Sequence, residues 1–288
     1  MTTQYQRAYT VQVDAIKFGT ESPLEHGALD AVFNVVKDKT KEPNQCNLQV
    51  FNLSQQHRDQ LADLTGAFVV VEAGYQDDVV QLYRGVTREI FSEQQGSDWV
   101  TTLTSGDGEK AFRRARVNES FAPGSKLPDV LRRLVRALKD EGVDAGNADQ
   151  RITELQLSGK LTEAGNEFIN GTVLSGKAVD HLDLLLRSVD MEWSIQDGEF
   201  QLLNLGQFLE GFAVVLNPDT GLVGAPSVGN DGILHGRALL NGTVVPGKQL
   251  QVESPSLPAA FYKCSRAEYL GDTSGQDWYV DFEAEILA

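Results

Sequence analysis

Paired carboxylates are the residues of this sequence whose spacing comes closest to chemistry. Asp77 and Asp78 are adjacent at a predicted hairpin tip, and Asp272 and Asp277 bracket another. A glycoside hydrolase needs two carboxylates that face each other across a cleft, and a Ca²⁺ loop needs alternating oxygen ligands. Neither pattern is complete, so we predict no catalytic residue and no metal ligand here. Whether Asp272 and Asp277 bind a cation stays open.

A glycine-rich segment at residues 106–111 fits the loose pattern of a dinucleotide-binding loop. Two acidic residues, Asp107 and Glu109, place negative charge where phosphates would have to lie. The preceding strand alternates polar and apolar residues, unlike the buried parallel strand of a nucleotide-binding unit. We therefore predict no cofactor-binding residue, and interpret this segment as a turn at a domain junction.

No nucleophile has a base or a metal within a recognisable spacing. Ser175 precedes Gly176 in a helix-capping context, and His181 is interpreted as a packed or surface side chain. Cys46 and Cys264 occupy apolar positions of strand-like runs, which predicts small buried hydrophobic residues rather than a disulfide. We therefore predict that the chain is not an enzyme. The four histidines are too scattered for a zinc site: His26, His57, His181 and His235.

The net charge limits the partners. The 288 residues contain 41 acidic and 25 basic side chains, which gives a formal charge of −16. Tight binding to nucleic acid or to anionic lipid requires clustered cations, so both are disfavoured. No apolar stretch reaches membrane-spanning length, which predicts no direct membrane insertion. Arginines cluster at residues 113–116 and 132–136, and subunit contacts or intramolecular ion pairs explain them equally well.

The periodicity of apolar residues predicts a mainly β protein with an α+β middle region. Alternating runs and hairpin signals fill residues 1–107, which predicts a first β-barrel or sandwich. Residues 108–210 carry two helical stripes, one opening at residues 125–128 and one beginning near residues 175–178, and then an Asp197-Gly198 hairpin. Residues 211–288 are β-rich again, and predict a segment that completes or extends the barrels. Residues 155–169 are polar and irregular in pattern, and they predict neither a helix nor a strand.

The last third resembles a known family in the order of its motifs. Residues 220–226 read Thr-Gly-Leu-Val-Gly-Ala-Pro, and residues 238–242 read Ala-Leu-Leu-Asn-Gly. Residues 271–279 follow with Gly-Asp-Thr-Ser-Gly-Gln-Asp-Trp-Tyr. This succession resembles the baseplate hub proteins of long-tailed bacteriophages and of related contractile injection systems. Earlier segments agree with it, namely the hairpin from Gly74 to Gly85 and the helix leading into Trp193.

The resemblance implies an architecture and a set of partners. It implies tail-tube-like β-barrels that form a ring, built as a homotrimer, which joins a sixfold tail tube to a trimeric central spike. Tail-tube and distal tail proteins would be its partners, and DNA would pass through without sequence-specific binding. The protein would then be located in the virion, at the tail tip or baseplate, after assembly in the host cytoplasm.

Two other function classes remain open at this point. A tail-associated cell-wall hydrolase would need an acid/base pair in a cleft. A receptor- or carbohydrate-binding β module would need clustered exposed aromatic residues. The three tryptophans lie in alternating strands, where core packing explains them.

Overall fold

A computed structural model describes residues 6–20, 29–76, 78–157, 167–168 and 170–286. The chain divides into two compact units. Unit 1 contains residues 1–39, 44–107 and 208–288, and unit 2 contains residues 40–43 and 108–207. The last part of the chain therefore shares a unit with the first part.

Strands dominate the described structure. In chain order the elements are β1 (Arg7–Val13), β2 (Ile16–Gly19), β3 (Ala31–Asp38), β4 (Gln45–Phe51), α1 (Gln55–Ala62), β5 (Phe68–Tyr75), β6 (Asp78–Gln95), β7 (Asp98–Gly106), α2 (Glu109–Arg114), β8 (Arg116–Phe121), β9 (Ser125–Lys126), α3 (Leu127–Asp140), α4 (Ala148–Leu157), β10 (Glu167–Phe168), β11 (Thr172–Lys177), α5 (Ala178–Arg187), β12 (Met191–Gln196), β13 (Glu199–Asn204), β14 (Val214–Leu216), β15 (Leu222–Val228), β16 (Ile233–Leu239), β17 (Gln249–Ser254), β18 (Leu257–Asp272) and β19 (Trp278–Ile286). Strands make up 53% of the described residues and helices 18%, which confirms the predicted mainly β class with a mixed middle region.

Unit 1 contains a single sheet of 13 strands. Its main path runs β15-β16-β19-β18-β3-β4-β7-β6-β5-β1-β2, and β14 and β17 branch off β18. The first eight strands of this path pair antiparallel throughout. We call them the eight-strand run. The run depends on the pairing of β3 with β18, because this pair joins the strands from the first part of the chain to those from the last.

Alternation decides which face of the eight-strand run is buried. In β3 every second residue from Ala31 to Lys37 is buried, and β4 and β19 repeat the pattern. The buried side chains belong to one apolar core that includes Phe33, Leu48 and Phe282. The intervening side chains therefore lie on the opposite face, as the period of two requires.

Unit 2 has its own core. The helices α3 and α5 contribute Leu131, Leu134 and Leu182 to it, and the β12–β13 hairpin contributes Trp193 and Phe200. The rings of Trp193 and Phe200 stack with their centroids 5.6 Å apart. This core explains why the middle of the chain carries helical stripes between two stretches of alternating strands.

Several local predictions for unit 2 are confirmed. The helix α3 begins at Leu127 with a proline in its first turn, and its apolar stripe is buried. The helix α5 covers residues 178–187. The Asp197-Gly198 turn has positive φ at both residues, 56° and 82°, as a two-residue hairpin turn of this kind requires.

Other expectations need correction. The hydrogen-bonded path of the sheet, over the residues that the structure describes, does not return to its starting strand, so the implied barrels are not seen as closed rings of strands. The apolar run from Ala238 to Val245 predicts a strand, but β16 ends at Leu239 and turns follow. Of residues 155–169, the first three end α4, Glu167 and Phe168 form β10, and residues 158–166 and 169 lie outside the described part.

Candidate assembly surfaces

The outward face of the eight-strand run carries charged residues in cross-strand rows. Arg237 lies opposite Asp281, which lies opposite Glu268. One row along, His235 lies opposite Glu283, which lies opposite Arg266. We call this surface the charged sheet face. Its ionised side chains include Asp38, Glu268, Asp272, Asp281, Glu283 and Glu285, with Lys39, Arg237 and Arg266.

Ion pairs hold most of the cations of this face in place. Arg237 donates from Nε and Nη2 to the two carboxylate oxygens of Asp281, at 2.6 and 2.7 Å. This hydrogen bonding raises the pKa of Arg237 above its ordinary value. Arg266 lies between Glu268 at 2.7 Å and Glu283 at 3.5 Å. Because carboxylates outnumber cations on this face, the surface keeps a net negative charge.

Uncharged polar residues continue the face towards β7. Asn34 lies opposite Asn47, and Gln49 lies opposite Thr102. A groove of about 390 Å³ crosses the sheet here, with Leu270 and Phe33 among its apolar lining residues. Asn34 also donates to Glu268 at 2.8 Å, which connects the amide-rich and charged parts of the face.

The loop that joins β18 to β19 contains the predicted carboxylate pair. The Asp272 carboxylate accepts from the backbone N–H groups of Ser274 and Gly275, at 3.0 and 2.6 Å. The guanidinium of Arg7 donates to the carbonyl oxygens of Asp272, Gly275 and Gln276, at 2.5 to 3.1 Å. A side-chain cation therefore uses the carbonyl oxygens that a metal ion in this loop would need.

Arg7 is a functional candidate that the sequence patterns do not single out. Its guanidinium also lies 5.5 Å from the centre of the Trp278 ring, and Trp278 donates from Nε1 to the carbonyl of Gly74 at 3.0 Å. The hydrogen bonds of Arg7 join β1 to the closing hairpin, which lies more than 260 residues further along the chain. No local spacing signals such a contact, because its two ends are remote in sequence.

The other predicted carboxylate pair is only partly described. Asp78 is exposed at the start of β6, where it lies opposite Tyr75. Asp77 lies outside the described residues. Among the residues that the structure describes, no three His, Cys, Asp or Glu side chains come together as a group that could hold a metal ion.

The predicted arginine clusters split into paired and unpaired members. Arg113 pairs with Glu109, Arg132 with Asp129 and Arg133 with Glu119, at 3.7, 3.3 and 2.6 Å. Both interpretations of the clusters therefore keep support, because three of the arginines make intramolecular pairs and others do not. Within the described chain Arg114, Arg116 and Arg136 make no ion pair and are exposed.

The glycine-rich segment at residues 106–111 has a structural role. Gly106 ends β7 and Gly108 caps the six-residue helix α2 in a left-handed conformation. Asp107 is only 1% exposed, and its carboxylate accepts from Asn44 Nδ2 at 3.4 Å. The strand before the segment, β7, pairs antiparallel with both of its neighbours. These features differ from a phosphate-binding loop, in which open backbone amides face an anion.

The remaining predicted residues are structural in their contacts. The helix-capping interpretation of Ser175 is wrong, because Ser175 lies within β11 and the residue before α5 is Lys177. The carbonyl oxygen of Ser175 is 3.2 Å from His181 Nε2. Ser54, directly before α1, is a residue type that favours helix capping, and its Oγ accepts from the N–H of His57. Cys46 and Cys264 are free and fully buried, as predicted. His235 lies on the charged sheet face, and His26 lies outside the described residues.

The chain shares its fold with solved tail proteins. It superposes on the 43 kDa tail protein of prophage MuSo2 from Shewanella oneidensis with a TM-score of 0.63, at 8% identity, over 98% of this chain and 97% of that one. The tail protein from Neisseria meningitidis MC58 gives a TM-score of 0.61 at 10% identity, over 97% and 96% of the two chains.

A secretion-system protein has the same fold. An Escherichia coli component of the type VI secretion system, described as structurally similar to the bacteriophage T4 tail proteins gp27 and gp5, gives a TM-score of 0.57 at 11% identity, over 96% of this chain and 77% of that one. No family model and no curated protein sequence matches the chain. The fold is thus that of phage tail and related secretion-system proteins, as the sequence resemblance implied.

Proposed function

We propose that this chain is a structural tail protein, a baseplate hub subunit whose copies form a ring around the DNA channel. In this proposal three copies join a sixfold tail tube on one side to a trimeric spike on the other. Its partners are tail-tube, distal tail and spike proteins, its place is the tail tip of the virion, and it is not an enzyme. The tail-protein fold supports the role, and the eight-strand run supports the ring.

The observation that carries the proposal is the eight-strand run with one buried and one charged face. An apolar face packed on a core and a charged, partly exposed opposite face suit the wall of an aqueous channel. Duplex DNA carries one negative charge per roughly 1.7 Å. A net negative wall repels those phosphates, so that DNA slides through without being held. We therefore assign the charged sheet face to the channel wall.

The open edges of the same run support assembly. Among the described strands, the outer edge of β15 and that of residues 89–95 in β6 have no strand partner. Unpaired edges are ready to pair with another chain. Pairing of these two edges between neighbouring copies would continue the sheet around a ring. The bulge and Pro226 in β15 limit how much of that edge can pair.

Hydrogen exchange on the assembled and the free protein tests this arrangement. In the ring, we expect the backbone amides of residues 89–95 and 222–228, except Pro226, which has none, to exchange more slowly than in the free chain. Amides in the middle of β4, which already has partners on both sides, serve as the internal control. Equal exchange rates at both edges in free and assembled protein would contradict the proposed pairing.

A further inference from the structure

A two-stranded ribbon in unit 2 exposes a group of cations. The strands β8 and β11 pair with each other, and Arg116 lies directly opposite Lys177. Val117 and Leu174 are buried on the other face of the ribbon. Because side chains alternate along a strand, Arg116 and Lys177 both lie on the outward face, and both are exposed.

The helix α2 adds two more cations beside this ribbon. Lys110 and Arg114 are four residues apart in α2, so they lie near each other on one side of the helix. Ala115 follows the helix, and its carbonyl oxygen accepts from the N–H of Ala178 at 2.9 Å. Ala178 is the residue after Lys177, so this hydrogen bond holds the end of the helix beside the ribbon. We call Lys110, Arg114, Arg116 and Lys177 the basic patch. Within the described chain none of the four makes an ion pair.

This arrangement is unfavourable for an isolated chain. Like charges directly opposite in a strand pair, and like charges four apart in a helix, are each destabilising. The chain has 41 acidic residues against 25 basic ones. Neighbouring Arg113 does pair with Glu109, at 3.7 Å. Four clustered cations left without a carboxylate in so acidic a protein indicate a surface that is neutralised from outside.

We propose that the basic patch is a contact surface for carboxylates of a second copy of this chain. The inference rests on the proposed ring, which places copies side by side. Charge complementarity favours this partner, because a chain of net charge −16 presents an acidic surface to its neighbour. The same net charge repels a nucleic acid at long range, and four cations neutralise few phosphates.

A triple variant with a matched control tests the contact. Arg114→Gln, Arg116→Gln and Lys177→Gln together remove three charges of the patch and keep polar side chains. Arg187→Gln is the control, because Arg187 is also exposed in unit 2 but pairs with Asp183 at 3.1 Å. Sedimentation gives the concentration at which half of the full-length protein is assembled. We expect the triple variant to need about tenfold more protein at low salt, and the control to stay within about twofold.

The free chain supplies a folding control. Removing like-charge repulsion leaves the melting temperature of the unassembled triple variant unchanged or higher, so weaker assembly cannot be assigned to misfolding. Wild-type protein that assembles no more weakly at high salt than at low salt would overturn the inference. A triple variant that assembles as tightly as the wild type would also overturn it while leaving the ring intact. Failure of the wild type itself to assemble in a reconstituted baseplate would instead remove the proposed function.

Zero-length cross-linking identifies the partner directly. A carbodiimide joins a lysine amine to a carboxylate only where the two groups touch. With mixed ¹⁴N- and ¹⁵N-labelled copies, we expect cross-links from Lys110 or Lys177 that carry both labels. Cross-links within one copy only, in protein that has assembled, would contradict the contact. Protection of the patch by duplex DNA, with no cross-link between copies, would assign it to nucleic acid and overturn the inference.

Discussion

At the scale of single residues, Arg7 is the contact that holds the closing loop. Its three hydrogen bonds to carbonyl oxygens and its position over Trp278 connect the first strand to the last hairpin. We expect Arg7→Met to lower the free energy of unfolding by about 2 kcal/mol, because the carbonyls lose a charged donor and the ring loses its cation. Urea unfolding measures this change.

The exposed Lys17 in β2 provides the control for that variant. Lys17→Met removes a cation from the same unit without removing a described contact, so we expect it to stay within about 0.5 kcal/mol of wild type. Equal effects of the two substitutions would show that Arg7 acts through net charge alone.

The two cysteines give a prediction about pH. Burial raises the pKa of both Cys46 and Cys264 to about 12, so each thiol stays protonated in the folded protein far above neutral pH. We expect neither to react with a thiol reagent at pH 8 until the chain is unfolded. Rapid labelling of the native protein at pH 8 would contradict their burial.

The same shifts fix the sign of the alkaline response. The pKa is raised in the folded state, so the stability contributed by the neutral thiols is complete below the unfolded value of about 8.5 and is lost as pH rises towards 12. We expect Cys46→Ala and Cys264→Ala each to reduce the loss of stability measured between pH 8 and pH 11. Each substitution also lowers stability at neutral pH by removing buried volume.

At the scale of elements, the two units have separate cores. Leu48 lies in the core of unit 1 and Leu134 in that of unit 2, and both are fully buried. Leu→Ala at such a site costs about 2 to 5 kcal/mol. We expect calorimetry to resolve two unfolding transitions, with Leu48→Ala lowering one and Leu134→Ala lowering the other. A single transition that both variants shift equally would show that the units unfold together.

Local sequence patterns predict where helices and strands form better than they predict which strands pair with each other. Alternation and turn residues are sufficient for the hairpins from Phe68 to Gly106 and for the closing hairpin, since each pair is adjacent in sequence. The parallel β14–β17 pair and the edge strand β15 were missed. Long-range pairing decides them, and short apolar runs do not carry that information.

The charged sheet face was missed for a related reason. Asp281, Glu283 and Glu285 alternate with buried residues along β19, which is a visible signal of one outward acidic side. Its partners come from β16, β18 and β3, and only the β3–β18 pair brings the two ends of the chain into one surface. The family resemblance predicted the fold. The residues that make up this face can be identified only once the strand order is known.

At the scale of the whole molecule, the proposed role is structural. The predicted absence of catalytic residues rests on spacing, and several described carboxylates, such as Asp281 and Asp272, serve ion pairs and loop capping. We therefore expect no cleavage of peptidoglycan by the purified protein in a zymogram. Measurable cleavage that disappears on substitution of one carboxylate would show that the protein is a tail-associated hydrolase instead.

The proposed ring is tested most directly by a cryo-electron microscopy reconstruction of the assembled tail tip. We predict three copies around a central channel, with the charged sheet face on its wall and a negative electrostatic potential along the lumen. The arginines near Arg114 and Arg132 should then face subunit contacts or the outer surface. Copies that remain monomeric in the reconstituted baseplate would contradict the ring. A neutral or positive channel wall, with the carboxylates on the outside, would contradict the role assigned to the charge of −16.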